Sequence, residues 1–289
     1  MRVLVLYEHA KSTRWTLDKP QIGIRNTHES TMTLVPLLLL LLPCCRVVLS
    51  LQLNIHLPLT KVNNTWAFDK CPYNAALEAN LALRRGSDTE EIDFFSRHTP
   101  HVTLFLSDFD AQEKNESLLF EEIELVIQQV LTNHSQLWCD VSLSERDAHL
   151  VTGPYSMYAV PKTDCLQSLS DDIVRALNPF IMRPQKIPPW VYTLPLLQRW
   201  RKIYMISKYG SPNVFGEYEP HITVGYDEVA SVQSRRIVLG GIASPQLTCQ
   251  GWITHVAIAR VGVGGSVLQD GLVSVIPLQD PNALREVQL

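Results

Sequence analysis

Three observations predict an α+β fold of two related lobes for this chain of 289 residues. A pentapeptide of the form Pro-His-aliphatic-Thr-aliphatic occurs twice, as Pro100-His101-Val102-Thr103-Leu104 and Pro220-His221-Ile222-Thr223-Val224, with the histidines 120 residues apart. Segments of strand-like and helix-like periodicity alternate irregularly, as they do where helices pack on mainly antiparallel sheets. An apolar content of 46% against 19% charged residues belongs to a globular chain. The net charge of −4 gives no sign of the basic surface that holds long duplex nucleic acid, although a few local cations would serve a small nucleotide or a short RNA.

The first 50 residues stand apart. Met32 to Ser50 reads MTLVPLLLLLLPCCRVVLS, an apolar run from Leu37 to Leu42 followed by Val48-x-Ser50, the pattern of a cleaved signal peptide. Residues 1–31 are mixed and charged, which is long for the segment preceding such a run, so Met32 is expected to be an alternative start. A signal anchor is the competing reading, because Val35 to Leu53 approaches the ~20 residues that span a bilayer. Arg46 and the Pro36/Pro43 pair weigh against it. The expected organisation is an N-terminal extension and signal peptide over 1–50 and one bilobal domain over 51–289, secreted or in the secretory lumen, monomeric, with no stable membrane span after cleavage. Asn63-Asn-Thr65, Asn115-Glu-Ser117 and Asn133-His-Ser135 are glycosylation acceptors in that setting. Cys44 and Cys45 leave with the signal peptide. Cys71, Cys139, Cys165 and Cys249 remain, an even number that predicts two disulfides in one of three connectivities. The absence of a CxxC pair argues against a zinc ribbon or thioredoxin chemistry.

Leu51 to Leu59 alternates apolar and polar residues, which predicts a half-buried strand with Gln52, Asn54 and His56 on its solvated face. Asn74 to Arg84 reads as a helix that Gly86-Ser87-Asp88 breaks. The first pentapeptide opens a strand over His101–Leu106, with Pro100 where no ladder donor is lost. Ser117 to Leu131 carries Leu119, Ile123 and Ile127 at helical spacing, and its early glutamates complement the helix dipole. Gln136–Leu143 and Tyr155–Val160 are predicted strands joined through Gly153-Pro154. Asp164 to Leu177 is a helix stopped by Asn178-Pro179. An irregular proline-rich connection leads to a helix over Leu196–Tyr209. After the second pentapeptide come a helix near Val229–Val238, a bulged or split strand over Gln246–Arg260 and a strand over Ser266–Leu278. Gly262-Val-Gly-Gly265 lacks the Lys-Ser/Thr of a phosphate loop and reads as a hairpin turn.

In a strand, residues i and i+2 share a face, so each copy sets a His beside a Thr. Two such strands facing one another would place two imidazoles and two hydroxyls around one ligand. Imidazole titrates near 6.5, so one ring can take a proton while the other gives one. The Thr hydroxyls can donate to phosphate oxygens as negative charge builds. Neither copy brings a third ligand at zinc spacing, and the chain lacks a Gly-x-Ser-x-Gly elbow. An acidic residue follows each copy, Asp108 and Asp227.

His101-Val-Thr103-Leu and His221-Ile-Thr223-Val resemble the paired H-x-T-hydrophobic signatures of the two-histidine (2H) phosphoesterase superfamily, which includes 2′-5′ RNA ligase-like proteins and cyclic phosphodiesterases. The resemblance implies a bilobal α+β fold with pseudo-twofold symmetry, two mainly antiparallel sheets flanking a central cleft and helices outside. It implies His101 and His221 as an acid/base pair and Thr103 and Thr223 as phosphate binders, with no metal or cofactor. The expected activity is phosphodiester hydrolysis on a small nucleotide or short oligonucleotide, 2′,3′-cyclic or 2′-5′-linked. A non-catalytic nucleotide or RNA-end binding module and an RNA end-joining activity are the alternatives. Tyr158, Trp190, Tyr218 and Tyr226 are candidate stacking residues, and Lys162, Arg183 and Lys208 candidate phosphate cations, with ordinary packing or solvation as the default for each.

Overall fold

The computed structural model describes residues 50–59, 61–62, 65–66, 70–111, 115–133, 139–143, 149–242, 249–252 and 254–278. The signal peptide, Met32, the Asn63 acceptor and the side chain of Cys249 lie outside them. In chain order the elements begin with strand β1 (Ser50–Pro58), the short strands β2 (Lys61–Val62) and β3 (Thr65–Trp66), helix α1 (Lys70–Gly86) and strands β4 (His98–Thr99) and β5 (His101–Asp110). Helix α2 (Glu116–Asn133) follows, then strands β6 (Asp140–Leu143), β7 (His149–Thr152) and β8 (Tyr155–Ala159) and helices α3 (Asp164–Leu177) and α4 (Leu196–Tyr209). The chain continues through β9 (His221–Tyr226), α5 (Val232–Gly240), β10 (Cys249–Trp252), β11 (His255–Val261) and β12 (Val267–Pro277).

The fold is α+β, and every ladder among the described residues is antiparallel. One sheet has the order β4-β12-β11-β1-β5 and another β7-β8-β9; β10-β6 and β2-β3 are two-stranded ribbons. Both pentapeptides therefore open edge strands, β5 in one sheet and β9 in the other, and these two edges lie against each other.

The two halves repeat a strand, a helix and a motif strand: β1-α1-β5 and β8-α3-β9. Within each half the two strands pair. The helices change sides, with α3 packed on β5 and α1 on β9, while α2 backs α3 and α5 backs α1. A single apolar cluster runs from Leu53 and Ile55 through Leu104 and Phe105 to Ile222 and Val224, so the lobes share one core.

Local chemistry sets the helix limits. Thr163 caps α3, its hydroxyl accepting from the Leu166 N–H at 3.2 Å, and Leu166, Leu169, Ile173 and Leu177 face the core. Helix α4 starts after Pro195 and ends at Gly210, whose φ of 79° suits a residue without a side chain. Both helices have the limits that the sequence predicts, while α1 and α2 extend beyond theirs.

The Gly153-Pro154 turn joins β7 to β8, and Asp140–Leu143 of the predicted Gln136–Leu143 strand forms β6, while residues 136–138 lie outside the described residues. The partner of β6 is β10, not β8. The long Gln246–Arg260 strand divides into β10 and β11, each serving a different sheet. Gly262–Gly265 does turn the chain from β11 into β12.

Candidate active site

Each pentapeptide sets its histidine by the same local construction. The His101 Nδ1 lies 2.9 Å from the Thr99 carbonyl and the His221 Nδ1 2.8 Å from the Glu219 carbonyl, two residues back across a proline in both cases. A carbonyl only accepts, so both Nδ1 atoms carry the proton and both Nε2 atoms keep a lone pair. The proline carbonyl between them accepts from the neighbouring strand, Leu59 N–H to Pro100 at 3.2 Å and Val160 N–H to Pro220 at 3.0 Å.

The fifth residue of each pentapeptide is a β-bulge. In β5 the pairing steps from Phe105 opposite Ile55 to Thr103 opposite His56, leaving Leu104 unpaired. In β9 it steps from Gly225 opposite Ser156 to Thr223 opposite Met157, leaving Val224 unpaired. A bulge re-aims the side chains beside it and takes a carbonyl off the ladder. Those carbonyls are met from the helices: Ser170 of α3 donates to Leu104 O at 2.8 Å, and Asn80 of α1 donates to Val224 O at 2.9 Å. Both donors are fully buried, and this is why polar residues stand on the inner faces of those helices. Thr103 and Thr223 remain half-buried beside their histidines.

The surroundings of the two rings differ. Asn54 of β1 brings its amide Nδ2 within 3.1 Å of His101 Nε2, 3.0 Å of Thr103 Oγ1 and 3.3 Å of the Gly265 carbonyl, while its Oδ1 is buried without a partner. The His56 ring meets His101 edge-on with centroids 5.1 Å apart, and its Nδ1 donates to the Asn54 carbonyl at 3.2 Å. The expectation that Asn54 and His56 are solvated fails: both are buried, because β5 and the Gly262–Gly265 turn cover that face. The turn also reaches β9. Gly264, at φ 60°, lies so close to the Tyr226 ring that an added Cβ would clash with it.

On the opposite side His221 is half-buried. The loop leading to it is held by Lys202, a buried α4 residue whose Nζ donates to Asn213 Oδ1 at 2.9 Å and Glu217 O at 3.1 Å. Tyr218 then ties this loop to the first motif, its phenol donating to the Thr103 carbonyl at 3.2 Å.

Burial pushes the His101 imidazole down to about 4, against the pull of the Thr99 carbonyl and with His221 and His98 adding repulsion. Burial, then repulsion from His101, takes His56 to about 3. Burial lowers His221 as well, and the Lys202 ammonium adds to the effect against the Glu219 carbonyl and carboxylate. At about 3 and about 4, His56 and His101 are neutral at pH 7, and His221 is moved in the same direction. An anionic phosphodiester between them would favour protonation of one.

The motif residues gather at one place; most other candidates do not. Tyr158 is buried against His149, Tyr226 lies between Tyr155 and Gly264, and Trp190 sits in a 3-10 turn. Lys162, Arg183 and Lys208 are exposed, and Arg183 caps the end of α4 through Ser207 O and Lys208 O. Asp227 accepts from Ser87, Thr89 and the Val229 and Ala230 N–H groups, which makes it a structural cap. Among the described residues no group of His, Cys, Asp and Glu could hold a metal ion. Asn115 and Asn133 are exposed, Cys139 is joined to Cys165, and Cys71 is also disulfide-bonded.

Similar solved structures include a phosphoesterase at 11% identity and TM-score 0.40, covering 80% of this chain and 100% of that one. Escherichia coli LigT complexed with 3′-AMP follows at 10% and 0.39, with 80% and 100% covered. Kluyveromyces marxianus Usb1 has 16% identity and TM-score 0.39, with 79% and 98% covered. No curated protein matches the sequence. The family model for the 2′-5′ RNA ligase superfamily matches residues 78–265, a span that includes both pentapeptides, their bulges and the Gly262–Gly265 turn, and the chain belongs to that superfamily.

Proposed function

We propose that this protein is a metal-independent phosphodiesterase that hydrolyses a small nucleotide or short oligonucleotide with a 2′,3′-cyclic or 2′-5′ linkage. The observation that carries the reading is the matched pair of imidazoles, each held as the Nδ1–H tautomer with Nε2 as its basic atom. One Nε2 takes a proton from the attacking water as its oxygen bonds to phosphorus. The other ring, protonated when the anion binds, gives its Nε2 proton to the departing ribose oxygen, so a phosphomonoester and a hydroxyl result. Thr103 and Thr223 donate to the non-bridging oxygens, where charge grows in the transition state. The test is turnover of cyclic nucleotides and of 2′-5′ and 3′-5′ dinucleotides with EDTA present. His101→Ala and His221→Ala should each lower kcat by about 10²–10⁴-fold. Equal rates for the variants and the wild type would end the proposal.

A place in the secretory pathway is supported by the Cys139–Cys165 disulfide and by the exposure of the acceptors Asn115 and Asn133. A mobility shift on enzymatic removal of N-glycans, lost in Asn115→Gln/Asn133→Gln, tests it.

A further inference from the structure

We propose that the outer face of α4 is a docking surface for an anionic phospholipid bilayer. Leu196, Leu197, Trp200 and Tyr204 are 65%, 66%, 63% and 54% exposed. At 3.6 residues per turn they fall within an arc of about 100°, one continuous apolar stripe along the helix. Tyr192, 52% exposed, stands on the 3-10 turn that packs against α4. A surface helix normally turns such a stripe to the core. Here the inward face is instead formed by Lys202 and Ile206, the first of which holds the loop before β9.

Charge identifies the occupant. Arg201, 60% exposed with the Glu217 carboxylate 4.0 Å away on its inner side, and Lys208 border the stripe, and the Lys208 Nζ lies 3.0 Å from the Tyr204 hydroxyl. Residues 173–216 contain seven Lys and Arg and no Asp or Glu, a stretch of +7 in a chain of −4, so everything outside it sums to −11. An apolar stripe of Leu, Trp and Tyr with a basic border is the composition of a helix lying in the headgroup region of a membrane. Aromatic side chains sit at that depth, and each nearby cation raises partitioning onto an anionic surface by about fivefold. A single-stranded RNA would use Trp200, Tyr204 and the cations, but it gives no reason to hold two leucines in water. Helix α4 is 14 residues long and carries Arg199, Arg201, Lys202 and Lys208, too short and too charged to span a bilayer, so its contact is peripheral.

The test is co-sedimentation of the purified full chain with vesicles of phosphatidylcholine alone and of phosphatidylcholine with phosphatidylserine. Binding should favour the anionic vesicles at least tenfold and weaken as salt is raised. Leu197→Ala/Trp200→Ala should lose at least tenfold on anionic vesicles. Arg201→Ala/Lys208→Ala should lose at least tenfold on them while binding neutral vesicles as the wild type does. Circular dichroism and thermal unfolding confirm that the variants fold. Every variant has the same N-terminal segment as the wild type, so binding that the α4 substitutions leave unchanged overturns the proposal. Failure to bind either vesicle overturns it, and so does Trp200-dependent capture of a short RNA by a protein that ignores vesicles.

Discussion

Asn54 is the residue that distinguishes one half of the site from the other. The pentapeptides, their prolines and their bulges match, yet β1 sets Asn54 and His56 beside the first motif where β8 offers Tyr155 and Met157. Asn54 donates toward the lone pair of His101 Nε2. A donor to the neutral ring favours that form, the same direction in which burial takes His101 down to about 4. Because His221 is lowered as well, the pH profile of kcat/KM should peak on the acid side of the ordinary histidine value near 6.5. Asn54→Ala removes the donor, and the His101 limb should move upward toward that value while kcat falls about tenfold or more. Measuring kcat/KM against pH for both proteins checks it. A role confined to packing would lower the melting temperature and leave the limb where it was.

At the scale of elements, α4 positions the second motif through Lys202. Lys202→Met removes the donor to Asn213 and Glu217 O and takes the nearer of two cations, at 3.5 Å, from the half-buried Glu217 carboxylate, leaving Arg201 at 4.0 Å. A loss of about 2 kcal/mol is expected from these unmet partners. Removing the ammonium should also raise His221 toward its ordinary value, because the charge that opposes its protonation is gone. Denaturant titration reads the first effect and histidine NMR titration the second; an unshifted His221 would place Lys202 outside the site. The limits of α3 and α4 were legible because capping, apolar spacing and proline all act within one helix. The two His-x-Thr strands were legible for the same local reason. The β6–β10 pair joins Cys249 with Leu143, and no local pattern announces a partner so far along the chain. Strand β7 is only His149–Thr152, with two exposed residues, too short to show a period. Alternation in β1 does tell which residues share a face with His56. It does not tell that β5 and a glycine turn more than 200 residues away will cover that face, so alternation alone predicts His56 and Asn54 in water.

For the whole molecule, a site made of buried neutral imidazoles ties stability to pH. His56 at about 3 and His101 at about 4 bind protons less readily folded than unfolded, where the ordinary value is near 6.5. Between those limits the unfolded chain holds more protons, so their contribution is complete above about 6.5 and is lost as pH falls through the folded values. His98, His149, His221 and His255 are lowered in the same direction by burial. Glu90, Asp108 and Asp171 are raised by burial and act against the trend, since each takes its proton sooner in the folded chain. The six histidines outnumber them, and the net expectation is acid destabilisation. His56 and His101 alone supply a slope of at most about 2.7 kcal/mol per pH unit where both differ fully in protonation. Urea unfolding at several pH values from 7 to 4, with disulfides intact, should show the midpoint falling as pH drops below about 6.5. His56→Phe keeps a ring against His101 but cannot be protonated, and it should flatten the slope by about one proton. A midpoint that stays level or rises across that range would mean that these rings are solvated and that the cleft between the two sheets is open to water.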